Sequence, residues 1–204
     1  MTISFVPYRS IAILRGHSTL DAIAVAKECW QCGFDLVEVT VQSDTDWVTL
    51  EELVAKAGER PVGAGTVLTA DQAKRAASSG ARVFISPSYN AEVHNVAIAS
   101  GIDYLPGVLT PTEIAEAMNC GISTLKLFPA RAMGAKYIAD LLGPFPDLKA
   151  VAVGGIDETN YAEYLDAGAA GVAFGGSLKR VLAQNPHKTL ADIASRCATS
   201  DLNT

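Results

Sequence analysis

Apolar and polar positions along the chain fall into two alternating rhythms. Eight short runs, SIAILRG, DLVEVTV, PVGAGTVL, RVFISPS, DYLPGVL, TLKLFPA, LKAVAVGG and GVAFGG, are almost continuous in apolar and β-branched residues. Helical periodicity separates most of them, most clearly in the third-to-fourth, fifth-to-sixth and seventh-to-eighth links. Unbroken apolar strands are buried on both faces, and strands alternating with helices build a parallel sheet that the helices cover. Three segments also share one layout. From Thr69 to Gly80, Thr110 to Gly121 and Asp157 to Gly168, a capping residue precedes a glycine by eleven positions and a strand follows. Thr69 with Gln72 and Thr110 with Glu113 have capping-box spacing, Pro111 takes the favoured first helical position, and the glycines are natural stops. This repetition predicts an α/β fold, a single small (β/α)8 TIM barrel over residues 1–204, with 198–204 frayed. An open doubly wound sheet ranks below it, since no GxGxxG follows the first strand.

Strand alternation then assigns a direction to each charge. In LVEVTV, Val37, Val39 and Val41 share one face, and Leu36, Glu38 and Thr40 the other. In TLKLFP, Leu125 and Leu127 face the helices while Lys126 points inward with Thr124 and Phe128; Arg15 ends the first strand opposite Leu14. Three strands thus send Arg15, Glu38 and Lys126 towards one interior region, at the strand ends where barrel chemistry gathers.

A lysine attacks a carbonyl only when neutral, and its ordinary pKa of about 10.4 must be depressed by burial or by a second cation. The apolar interior and Arg15 supply both. Lys126 is then the candidate nucleophile, Glu38 the proton carrier, and Arg15 a fork for a substrate carboxylate. A buried Lys–Glu–Arg ion cluster with no chemistry is the competing reading. After the last two strands, GG pairs precede helical segments, so Gly154, Gly155, Gly175, Gly176 and Ser177 are candidates for a phosphate cradle. The GAG of residues 63–65 reads as a close-packed strand leading to Thr66.

Composition narrows the class. The chain has 204 residues, 49% hydrophobic and 19% charged, which suits one domain with a substantial core. A formal net charge of −6 argues against nucleic-acid binding. With no long apolar span and no signal-peptide pattern, a cytoplasmic protein without membrane attachment is expected. Cys29 and Cys32 form a lone CxxC on a helical pattern and read as core-facing cysteines. His17, His94 and His187 are scattered, so no metal site and no cofactor are expected.

The segments LVEVT, PVGAGTVLTADQ, ISPS, LPGVLTPTEIAEAMNCG, TLKLFPA, GPFPDLKAVAVGGI and FGGSL resemble, in order and spacing, the 2-keto-3-deoxy-6-phosphogluconate aldolase family. The resemblance implies a metal-independent class I aldolase that cleaves a 2-keto-3-deoxy-6-phospho sugar acid to pyruvate and glyceraldehyde 3-phosphate, assembled as a homotrimer. By motif position it makes Lys126 the Schiff-base lysine and Glu38 the general acid/base. Arg15 and Thr66 would bind the carboxylate end, Pro87 and Phe128 would line the site, and Gly155 and Ser177 would belong to the phosphate cradle. Gln42 stands where phosphogluconate-cleaving members often carry arginine, and Val153 where they tend to carry threonine. AVGG and IAILRG look more like the phosphogalactonate-cleaving relatives, whose NSP after the second strand is VQSDTDW here. The epimer is left open on these residues. A phosphate-binding epimerase or isomerase barrel, and a non-catalytic sugar-acid-binding barrel, are the rival readings; a dinucleotide oxidoreductase ranks last.

Overall fold

Each of the eight apolar runs forms a strand, and one of them forms two. The computed structural model describes residues 8–184 and 186–199. Its strands are β1 (Ser10–Leu14), β2 (Leu36–Thr40), β3 (Val62–Gly65), β4 (Val83–Ile85), β5 (Asp103–Leu105), β6 (Gly107–Val108), β7 (Thr124–Leu127), β8 (Lys149–Val153) and β9 (Gly171–Phe174). All pairings are parallel, in the order β5-β4-β3-β2-β1-β9-β8-β7-β6. The two ends of that order are the halves of DYLPGVL. Pro106 has no N–H to donate, so the ladder breaks there. The Ser86 N–H bonds the Leu105 carbonyl at 3.2 Å, and the Lys126 N–H bonds the Pro106 carbonyl at 2.9 Å on the other side. One run changes partner midway, and the barrel closes through Pro106.

The helices are α1 (Thr19–Gln31), α2 (Asp44–Ala57), α3 (Ala70–Ser78), α4 (Ala91–Ser100), α5 (Pro111–Asn119), α6 (Ala130–Met133), α7 (Lys136–Leu142), α8 (Tyr161–Asp166), α9 (Leu178–Gln184) and α10 (Pro186–Thr199). Capping boxes open α3 and α5 at Thr69 and Thr110, as the repeat predicts, and Ser43 with Asp46 opens α2 in the same way. The third unit differs. The Asp157 carboxylate accepts from the N–H and hydroxyl of Thr159, which closes a turn, and α8 starts only at Tyr161. The predicted stops hold in all three units, with Gly80, Gly121 and Gly168 at φ of 84°, 85° and 95°. Of residues 198–204, for which fraying is expected, Ala198 and Thr199 belong to α10 and the remainder lies outside the described residues.

Alternation divides the core into two layers. Ala12, Leu14, Val37, Val39, Leu125, Leu127, Val172 and Phe174 point out to a large cluster shared with the helices. Ile11, Ile13, Leu36, Val83, Ile85, Leu105, Val151, Val153 and Ala173 fill the barrel interior. The predicted phases of β1, β2 and β7 are those observed, and the apolar interior forms the floor on which the inward charges stand. Cys29, Cys32 and Cys120 are free thiols. Cys29 is in the core, as expected. Cys32 is not: it caps the end of α1, half-buried, with its sulfur 3.8 Å from the His187 ring. Among the described residues, no helix is long and apolar enough to cross a membrane.

Candidate active site

A cavity of about 720 Å³ opens at the C-terminal ends of the strands, within the range of small-molecule sites. Lys126, Glu38, Arg15, Thr66, Pro87, Phe128, Gly154, Gly155, Gly175, Gly176 and Ser177 all line it, so every residue singled out from the sequence meets at one place.

Lys126 is 6% exposed and Glu38 is 2% exposed. An ion cluster that merely satisfied buried charge would pair them. Among the described residues neither side chain makes an ion pair or a hydrogen bond. Burial pushes the Lys126 ammonium below the ordinary lysine range; the Glu38 carboxylate opposes this and Arg15 adds to it. Burial likewise pushes the Glu38 carboxyl up, against the pull of Lys126 and Arg15. Both shifts favour neutral forms, an amine with a free lone pair and a carboxyl that can give a proton. The Lys126 ammonium nitrogen lies 5.0 Å from the centre of the Phe128 ring, which walls it on one side.

The GAG segment does more than pack closely. A Cβ on Gly65 would lie 1.8 Å from Glu38 Oε1 and 2.5 Å from its carboxyl carbon. The space that Glu38 occupies exists because β3 has no side chain there. Gly107 serves Pro87 in the same way, since a Cβ there would fall 2.2 Å from the Pro87 carbonyl oxygen. Thr66 follows with φ at 63°, a left-handed conformation that costs a β-branched residue roughly 1–3 kcal/mol. The Gly65 carbonyl bonded by the Val41 N–H, and the Val67 N–H bonded to Ile85, clamp it on either side.

Arg15 reaches the same cavity as Lys126 and Glu38 from its outer edge. It is exposed at the mouth rather than inside the barrel. There it donates 3.3 Å to the Thr66 hydroxyl and bonds the Gln42 side-chain oxygen. Gln42, marked in the sequence only as a departure from a pattern, therefore orients the guanidinium.

The two glycine pairs are not equivalent. Gly154 and Gly155 have φ of 97° and 80°. A Cβ on Gly154 would touch the Phe128 ring at 3.1 Å, and one on Gly155 would lie 2.5 Å from Arg131. Gly175 and Gly176 have no such constraint; they leave the backbone open to the cavity. The Ser177 hydroxyl donates to the Ile156 carbonyl at 2.8 Å and ties the two turns together. Its proton is spoken for. Among the described residues the N–H groups of Gly176 and Ser177 bond no protein acceptor, and these amides face an anion better than the hydroxyl does.

Sequence reasoning missed three cations and a histidine on this wall. Arg131, Lys179 and Arg180 line the cavity beside the glycine turns. Arg180 is already held by Glu158 at 2.9 Å through two nitrogens, so Arg131 and Lys179 carry the open positive charge. His17 lines it too, with both ring nitrogens buried. Burial, then Lys179, lowers its pKa and favours the neutral ring. Its place two residues beyond Arg15, just past a strand's C-terminal end, was the available signal.

Comparison with known proteins places this geometry. The family described as "Aldolase: KDPG and KHG aldolase" matches residues 6–191. The 2-dehydro-3-deoxy-6-phosphogalactonate aldolase of Escherichia coli (strain K12) is 36% identical over 172 residues, 83% of this chain and 84% of that one. A solved structure described as native KDPGal superposes with a TM-score of 0.81 at 33% identity, covering 94% of this chain and 93% of the other. KDPG aldolase from Legionella pneumophila, captured with pyruvate as a covalent carbinolamine, superposes with a TM-score of 0.79 at 30% identity, covering 95% and 94%.

Proposed function

The chain belongs to the KDPG and KHG aldolase family, and from that premise we propose that Lys126 is its Schiff-base nucleophile and Glu38 its proton carrier. The protein is a class I aldolase, cleaving a 2-keto-3-deoxy-6-phospho sugar acid of the phosphogluconate or phosphogalactonate type to pyruvate and glyceraldehyde 3-phosphate. The observation that carries the residue assignment is the near-complete burial of Lys126 without an ion-pair partner, on the wall of a cavity it shares with the equally unpaired Glu38.

The neutral Lys126 amine attacks the C2 carbonyl carbon. Glu38 gives a proton to the carbonyl oxygen and takes one from the nitrogen, and the carbinolamine loses water to leave a protonated imine. The Glu38 carboxylate, having given its proton to the departing water, takes the C4 hydroxyl proton, the C3–C4 bond breaks, and its electron pair flows into the imine nitrogen. Glyceraldehyde 3-phosphate leaves. Glu38 returns a proton to C3 of the enamine, and water releases pyruvate from Lys126. Arg15, held by Gln42 and Thr66, is placed to orient the carboxylate end. Gly154, Gly155, Gly175, Gly176 and Ser177, with Arg131 and Lys179 beside them, are placed to receive the phosphate. The proposal extends to a single barrel domain acting as a homotrimer in the cytoplasm. The resemblance supports the trimer, which native mass spectrometry would test.

Borohydride reduction in the presence of pyruvate tests the assignment. The expected product is a reduced pyruvyl adduct on the peptide that carries Lys126. A Lys126→Ala variant that labels equally well would sink it. Assay of both epimeric substrates on the unmodified enzyme then fixes the sugar acid.

A further inference from the structure

We propose that Glu28, Cys32 and His187 form a zinc site that pins α10 to α1. None of the three lines the cavity, so the site is separate from the aldol chemistry. One ligand atom from each residue lies within 4.8 Å of the other two. His187 Nδ1 is 3.1 Å from Glu28 Oε1 and 3.8 Å from Cys32 Sγ. A tetrahedral zinc with bonds of about 2.0–2.3 Å to nitrogen, oxygen and sulfur separates its ligand atoms by roughly 3.3–3.6 Å. The two separations from Nδ1 are within a few tenths of an ångström of that spacing, and the third is no more than 4.8 Å.

Glu28 Oε1 is also buried and accepts no hydrogen bond, although Nδ1 is within reach. With the imidazole nitrogen beside it and the Cys32 sulfur, it completes a set of three atoms able to give electron pairs to one cation. The ligand types narrow the ion. Calcium and magnesium take oxygen shells, whereas thiolate with imidazole and carboxylate suits zinc. Three protein ligands leave the fourth position to water. On binding, the Cys32 S–H bond breaks, its proton passes to solvent and a sulfur–zinc bond forms. The thiol leaves its present neighbour, the His187 carbonyl oxygen at 3.7 Å. Cys29, one turn earlier, is fully buried in the core and is not one of the three clustered residues, so it takes no part. The lone CxxC therefore misled: its second cysteine is a ligand, and its partner comes from 155 positions further along the chain.

The test titrates the full-length, chelator-treated protein with zinc chloride in a calorimeter and follows thermal unfolding. One zinc per chain is expected. At a hundredfold excess over Kd the melting temperature should rise by roughly 5–10 °C. Cobalt in place of zinc should give a thiolate-to-metal charge-transfer band. Cys32→Ser and His187→Ala, both at partly or fully exposed positions, should each weaken binding tenfold or more while melting near the wild type without metal. Cys120→Ser, at an exposed thiol elsewhere, should bind as before. Absence of saturable one-to-one binding overturns the proposal. So does binding that survives both ligand variants, or that disappears with Cys120.

Discussion

At the scale of single residues, the site is a contest among three charges over two protons. Arg15 holds the Lys126 pKa down and Glu38 holds it up, while burial outweighs both. The neutral amine is the reacting form, so kcat/KM should rise with pH through the Lys126 titration, at a midpoint below the ordinary lysine range. Arg15→Gln removes a cation, Lys126 keeps its proton longer, and the limb should move to higher pH. Glu38→Gln removes an anion and should move it to lower pH, with kcat reduced about 10²–10⁴-fold by loss of the proton carrier. Initial rates across pH for the three proteins check both signs; shifts in one common direction would assign the limb to another group. Lys126 and Glu38 were legible in the sequence because alternation fixes which way a strand residue points. Arg15 was only half legible. It follows the last residue of its strand, where alternation no longer governs a long side chain, and its partner Gln42 comes from a loop. Lys179, Arg131 and His17 lie beyond strand ends as well, and periodicity says nothing about them.

At the scale of elements, neighbouring strands shape each other's side chains. β2 and β3 pair in register, with Thr40 opposite Gly65 and Glu38 opposite Gly63. Gly65 thus sits diagonally across from Glu38 and leaves it room. Gly65→Ala should swing the Glu38 carboxylate out of place and lower kcat about 10²-fold. The obstructing atoms belong to the end of a flexible chain, so the melting temperature should stay close to the parent's; steady-state kinetics and a thermal melt together check this. A variant with full activity would show that the carboxylate position is not critical. Two of three helix starts followed from capping chemistry. The third did not, because Asp157 has a closer partner in Thr159, and a side chain that closes its own turn is lost to the helix. Likewise the link after β7 divides into α6 and α7 at Gly134, whose φ of 76° no helix can hold. Such choices depend on local competition that composition and spacing do not record.

At the scale of the whole molecule, the eight apolar runs and the barrel were legible, but the division of one run into two strands and the closure it makes were not. A chain of net charge −6 gathers Arg15, Lys126, Arg131 and Lys179 around one cavity, with Glu38 and Asp157 as its acidic members. That contrast aims an acidic protein's positive field at an anionic substrate. The closure has a consequence of its own. Because the ring is joined through Pro106, the Lys126 amide proton is bonded across the seam to the Pro106 carbonyl. Its exchange with deuterium is therefore a clock for barrel opening at the very residue proposed to carry the imine. In deuterated buffer that proton should exchange faster than the Val39 amide, deep in the unbroken part of the ladder. Reductive trapping of pyruvate should slow it. Nuclear magnetic resonance of one backbone proton would then time how often this barrel breathes, and whether its substrate holds it shut.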